Sequence, residues 1–180
     1  MKNLLIVLFC LILFVNIDAA NGLTIGQSYQ GGIIAYILQS GDPDYVTGET
    51  HGLIAASSDQ GTDIQWYNGS YLTTGATGTA LGTGSANTNT IVSKQGPGSY
   101  AAKLCADLVI DGYSDWYLPS KDELNKLYDN RVAIGGFAHK GYWSSSEVND
   151  DGAWMQYFGF VLQSSYSKYY AYYVRAVRAF

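Results

Sequence analysis

The chain changes its hydrophobic period twice, and that order limits its fold more than any other feature. Residues 33–38 (Ile-Ile-Ala-Tyr-Ile-Leu), introduced by Gly31-Gly32, have the β-rich apolar character of a buried strand. Residues 53–56 and Ile64 to Tyr67 read as two further strands, the second closed by an Asn68-Gly69 turn signal. Two helical patterns follow. Ser99 can cap the first, within Tyr100 to Ile110, where Ala101, Cys105 and Leu108 share a face before Asp111-Gly112 ends it. The second starts at Ser120, with Pro119 before it and Glu123 three residues on, which is a capping box. Leu124, Leu127 and Tyr128 form its stripe, and it stops near Asn130. β character then returns in Tyr142 to Glu147, Ala153 to Gln163 and Tyr169 to Arg178, with turns at Asn149–Gly152 and Ser164–Lys168. Strands, two helices and strands again predict an α+β domain with mainly antiparallel sheets. Thr73 to Thr90, almost all Gly, Thr, Ser, Ala and Asn, has no apolar period. It reads as a long loop, either functional or floppy, or as local turns that bury Thr methyl groups.

The first 20 residues read differently. Lys2 supplies a positive start, Leu4 to Val15 is an apolar run, and Ala19-Ala20 offers small residues for cleavage, the order of a secretory signal peptide. The run is short for a bilayer span, and no second one follows, so residues 21–180 are expected to be a single exported domain without membrane insertion. Cys10 leaves with the signal, and Cys105 then has no partner for an intramolecular disulfide. Its apolar surroundings predict a small buried hydrophobe rather than a reactive thiol.

Several chemistries are disfavoured. The net charge is −5 and no basic stretch exists to neutralise a phosphate backbone, so nucleic-acid binding is not expected. His51 and His139 share no metal-ligand spacing with Cys or with each other. Ser144-Ser145-Ser146 is not a nucleophile elbow, and the glycine-rich run lacks a phosphate-loop ending. Carboxylates gather at Asp42, Asp44 and Glu49 and at Glu147, Asp150 and Asp151, either as solvated turns or as incomplete calcium ligand sets. No metal and no cofactor is expected.

The C-terminal quarter is rich in Tyr interleaved with Ser, Asn, Gln and Gly, and Tyr169 to Tyr173 holds four Tyr in five residues. Tyr gives large contact area with few rotors, and Ser and Asn give adaptable hydrogen bonds, a mixture found on binding surfaces. Tyr is also a good strand former that half-buries easily. Alternation in the 153–162 strand places Trp154, Phe158 and Phe160 toward the core and Met155 and Tyr157 outward, beside the Asn149–Asp151 turn.

A wider pattern joins these pieces: Gly-Leu-Ile-Ala at 52–55, Asp59-Gln60, Ile64-Gln65-Trp66, Gly-Tyr-Ser-Asp-Trp-Tyr-Leu-Pro-Ser at 112–120, Glu123-Leu124, Tyr-Trp-Ser-Ser-Ser-Glu at 142–147 and Val-Arg-Ala-Val-Arg at 174–178. Over about residues 25–180 the chain resembles the C-terminal domain family of the Legionella collagen-like adhesin. The resemblance implies a C-type-lectin-like fold in which N- and C-terminal strands pair and two helices flank the sheets. It also implies exported surface proteins that bind ligands, with glycosaminoglycan-like polysaccharides as the adhesin's ligand class. The ending is similar to that of diversity-generating-retroelement target proteins, which carry variable binding residues on this fold. By position, that relation implies a ligand-binding face of Asn149, Asp150, Asp151, Met155, Tyr157, Tyr166, Tyr169 and Tyr170. The chain departs from its relatives in three ways. It lacks the Glu-Pro-Asn or Gln-Pro-Asp triplet of calcium-dependent lectins, the paired cysteines of formylglycine-generating enzymes and a collagen-like Gly-x-y repeat. A charge of −5 suits a sulfated polyanion poorly, although Lys168, Arg175 and Arg178 can form either a local basic spot or structural pairs. The resulting expectation is an exported, non-enzymatic, adhesin-like domain that binds a glycan or protein through its Tyr-rich face. The alternatives are a self-associating surface or fimbrial-type subunit and, third, a polysaccharide-active enzyme.

Overall fold

The computed structural model describes residues 22–180, so the expected signal peptide and Cys10 lie outside the described residues. Nine strands and four helices occur among them. In chain order they are β1 (Ser28–Tyr29), β2 (Gly32–Ile37), β3 (Gly52–Ala55), β4 (Gly61–Gln65), α1 (Gly84–Gln95), α2 (Ala101–Ala106), α3 (Lys121–Asp129), α4 (Arg131–Ile134), β5 (Gly141–Glu147), β6 (Gly152–Tyr157), β7 (Leu162–Ser167), β8 (Ala171–Val174) and β9 (Val177–Ala179). They form a four-stranded sheet, β1-β2-β3-β9, and a five-stranded sheet, β4-β8-β5-β6-β7. Every strand pair is antiparallel except β5 with β8, which meet in parallel at Tyr142 and Tyr173. The class is therefore α+β with two mostly antiparallel sheets, as the order of periods predicts. The first and last strands share a sheet, but β9 pairs with β3, and β1 with β2 lies on the far side.

Local chemistry explains the elements. Ser120 caps α3 by accepting from the Glu123 backbone N–H, while the Glu123 carboxylate accepts from the Ser120 N–H at 2.7 Å, the expected capping box. Leu124, Leu127 and Tyr128 are its buried stripe. The α2 segment is shorter than expected and starts after Tyr100 with no side-chain cap, although Cys105 is fully buried as read. Burial pushes the Cys105 thiol far above its usual range and leaves it inert.

Thr73–Thr90 is not all loop. Its last third opens α1, which lacks a side-chain cap and an acidic first turn. The buried face of α1 is polar, which is why no apolar period marks it. Asn87 donates to the Gly78 carbonyl at 2.6 Å and accepts from the Gly78 N–H, and Thr88 accepts from the Leu118 N–H at 3.0 Å. Only Ile91 supplies a large buried apolar side chain.

The 153–163 run also divides. Phe158 to Val161 forms the β6–β7 turn, and of the segment expected to turn, 164–168, residues 164–167 continue β7 and only Lys168 turns. An apolar Phe-Gly-Phe-Val turn carries little turn chemistry in its sequence. Between β8 and β9 the chain passes from one sheet to the other. Arg175 sits there with its side chain fully buried, binding Asp59 at 2.7 Å and the carbonyls of Ala56 and Gly136.

Two apolar clusters fill the interior. One contains Ile54, Trp66, Ile91, Tyr100, Cys105, Trp116, Trp143, Met155 and Val174. The other contains Leu53, Leu124, Leu127, Tyr128, Tyr142, Phe158 and Val177. Each large side chain fully buried contributes about 1.5–3 kcal/mol.

Candidate ligand-binding face

The β6–β7 hairpin, with the turns on either side of it, positions the eight residues named above. Cross-strand pairing sets Ala153 beside Tyr166, Met155 beside Ser164 and Tyr157 beside Leu162. Residues opposite one another share a sheet face, so Met155, Tyr157 and Tyr166 lie on one face, as the alternation predicts. Burial does not follow. Met155 is only 2% exposed, flanked by Trp143 and belonging to the first apolar cluster. The expectation that Met155 faces solvent is corrected: the face has a second aromatic layer, with Tyr172 packed against Trp143 at 4.7 Å. Conversely Phe160, expected in the core, is 57% exposed at the hairpin tip, in tilted ring contact with Tyr157 at 4.5 Å. Trp154 is half-buried, with the Lys121 ammonium 5.6 Å from its ring centre.

Tyr166, Tyr169 and Tyr170 come together with Tyr172 in a chain of ring contacts 5.9–6.4 Å between centroids, mostly edge-to-face. Tyr169 and Tyr170 are 60% and 52% exposed and Tyr166 is 38% exposed. Tyr157 stands at the other end of the hairpin and is not part of this ring chain. In the 148–151 turn, the Asn149 side-chain oxygen accepts from the backbone N–H groups of Asp151 and Gly152, a local Asx turn. Asp150 is exposed. Asp151 accepts a hydrogen bond from the Ser167 hydroxyl at 2.7 Å, which joins this turn to the tyrosines.

Sequence reasoning missed Tyr71, which is 50% exposed, lies 3.3 Å from Ser167 through its hydroxyl and packs on Tyr67 at 4.8 Å. An aromatic side chain just past the Asn68-Gly69 turn was the available signal.

Lys168, beneath this face, and the two C-terminal arginines are committed to other contacts. Lys168 donates to Glu147 at 2.6 Å and to the Leu72 carbonyl at 3.0 Å, with both charged side chains fully buried. Glu147 also accepts from the Thr74 and Gly75 N–H groups. Burial pushes its carboxyl up, but Lys168 and the two N–H groups outweigh that and hold it below the usual range. Arg178 makes a two-pronged pair with Asp115 and holds that carboxyl low. Lys168, Arg175 and Arg178 are therefore structural pairs, and they form no basic spot. Glu147 faces inward and does not join Asp150 and Asp151. Among the described residues no group of three or more His, Cys, Asp or Glu is arranged to hold a metal ion.

Ser144, Ser145 and Ser146 are buried. Ser144 donates to the Trp154 carbonyl, Ser146 donates to the Gly78 carbonyl, and Ser145 accepts from the Asn87 amide. These bonds stitch β5 to its neighbours, and no histidine contacts them among the described residues.

Among curated proteins no match is found. Among solved structures, a fimbrial protein from Bacteroides ovatus is similar in fold, with a TM-score of 0.53 and 14% sequence identity. The match covers 89% of this chain and 44% of the fimbrial protein, so the chain spans less than half the length of that neighbour. The family model described as the Lcl C-terminal domain matches residues 55–178, more than half of the chain, from the last residue of β3 into β9. That span contains both sheets' shared crossing at Arg175 and the whole tyrosine face, and the chain belongs to the Lcl C-terminal domain family.

Proposed function

We propose that this is an exported, non-enzymatic, adhesin-like surface domain that binds a glycan or protein on the face made by Tyr71, Tyr166, Tyr169 and Tyr170, with Asp150 and Asp151 at its edge. One observation carries the reading: large rings that would each gain from burial stand exposed and adjacent. Rings of this kind stack on the apolar faces of sugars and anchor protein interfaces. The turn that displays them is held from beneath. Lys168 fixes it by its ammonium, its own N–H donates to the Asp151 carbonyl at 2.7 Å, and Gln65 donates to the Tyr169 carbonyl at 2.9 Å. A preorganised face loses less entropy on binding. Carboxylates at its edge and the absence of a free cation within it favour a neutral ligand over a sulfated one.

The family membership and the likeness to a fimbrial protein support a place at the cell surface. They also support a second reading, a subunit that self-associates, favoured by Val161, 85% exposed beside Phe160 at the hairpin tip. A glycan and host-protein array probed with residues 21–180, in calcium and in chelator, tests the proposal. The expected result is a neutral-ligand hit retained in chelator. A hit lost in chelator would move the site to the carboxylate loops, and concentration-dependent assembly with no hit would favour the subunit.

A further inference from the structure

A second site lies on the four-stranded sheet and shares no residue with the tyrosine face. A cavity of about 330 Å³ opens where the end of β2, the start of β3 and the end of β9 meet the 81–82 segment. Its walls are largely apolar, from Leu38, Pro43, Leu53, Leu81, Tyr117 and Ala179, with Phe180 at the edge, its ring turned to Tyr29 on the other face of the sheet. That size and lining match small-ligand pockets. Its polar groups are unevenly charged. Among the described residues no Lys or Arg lines it. His51 does, but its ring is held by Glu49 at 2.7 Å and by the Phe180 carbonyl, and the Glu49 bond raises its pKa.

Asp44, exposed at the rim, supplies the carboxylate side chain of the wall. Its carboxylate has no hydrogen-bond or ion-pair partner among the described residues. One of its oxygens lies 3.0 Å from where a Cβ on Gly82 would be, so this glycine leaves room for the carboxylate at the pocket wall. The Asp44 backbone has φ of +63°, a conformation that side-chain-bearing residues adopt at a cost unless surroundings enforce it. The Tyr117 hydroxyl is turned away, donating to buried Glu123, which leaves its ring for the pocket.

We infer that this cavity binds a small ligand with an apolar body and one cationic head, an aralkyl or alkyl amine. Asp44 pairs with the ammonium, and the Tyr117 ring with Leu38, Leu53 and Leu81 offers apolar contact to the rest. A neutral ligand of the same shape would leave Asp44 without a counterion, and an anion would be repelled. The inference is independent of the tyrosine face.

The test is a nitrogen-15 amide titration with 2-phenylethylamine, and with 2-phenylethanol as the neutral isostere. The amine is expected to shift Leu53, Gly82 and Ala179 amides and to bind about tenfold more tightly than the alcohol, with a dissociation constant of about a millimolar or lower. Asp44→Asn should remove that preference, and Asn tolerates the same positive φ, so the fold is retained. Tyr166→Ala/Tyr170→Ala should leave amine binding unchanged, which separates this site from the proposed face. No shift at these three amides up to about ten millimolar amine would overturn the inference. So would equal affinity for amine and alcohol, or an Asp44→Asn protein that keeps the preference.

Discussion

Lys168 carries its charge with its side chain wholly buried, directly under the turn that displays Tyr169 and Tyr170. Removing one partner of such a pair leaves an uncompensated charge and typically costs about 3–5 kcal/mol. Glu147→Gln and Lys168→Met should each lose stability on that scale in urea unfolding, far more than Lys103→Ala at an exposed pair. The pH dependence has a definite sign. Glu147 titrates lower when folded than when unfolded, so its stabilisation is fully present above the ordinary carboxylate value of about 4.3 and is lost as pH falls through the lowered folded value. Asp115 acts in the same direction, more weakly because it is half exposed. Glu123 is raised by burial and works oppositely, gaining stability as it protonates. The wild type should therefore weaken below about pH 4.3, and Glu147→Gln should flatten that limb; parallel curves would contradict the assignment. Met155→Ala belongs to the same scale. As a core side chain it should lose about 2–5 kcal/mol on truncation, which a solvent-facing residue would not.

The helix α1 shows why an element can be hidden in its sequence. Its buried face is made by Gly84, Asn87, Thr88, Ile91 and Gln95; Asn87 and Thr88 are satisfied by the backbone of other segments, and Gln95 accepts from the Asn68 N–H while its amide nitrogen has no partner among the described residues. Asn87→Ala would leave the Gly78 groups unpaired and should cost about 1–3 kcal/mol in unfolding experiments. Gly84 is tighter still: a Cβ there would sit 2.2 Å from a Glu123 carboxylate oxygen and 2.8 Å from the Ser120 nitrogen, at the α3 cap. Gly84→Ala should lower the melting temperature by several degrees more than Ser120→Ala, whose lost cap is worth about 1 kcal/mol. By contrast α3 was legible down to its capping box, because its apolar stripe and cap are local signals. β2 and β3 were also legible, as unbroken apolar runs. The alternation in β6 placed Met155 on the correct face, but only the tertiary fold decides that other aromatic side chains cover it. Of the candidate face, Tyr166, Tyr169 and Tyr170 could be named from the resemblance. Tyr71 joins from almost a hundred residues away, a pairing that no local pattern encodes.

At the scale of the molecule, two sheets are tied together by buried arginine. Arg175 binds segments before β4 and before β5, and Arg178 reaches Asp115 and Gln30. The C-terminal basic residues thereby serve the architecture, and the proposed face of this chain, whose net charge is −5, presents rings and carboxylates instead of cations. Binding driven by such a face should change by less than about twofold between 50 and 500 mM salt, whereas a polyanion held by free lysines would be released. The most direct test of the central claim compares Tyr166→Ala/Tyr170→Ala with the wild type, in affinity for the array ligand and in melting temperature, with chelator present. The account predicts affinity lost by about a hundredfold or more, on the scale of two interface anchors, with the melting temperature nearly unchanged. Undiminished binding, or a loss of stability matching that of Met155→Ala, would contradict it.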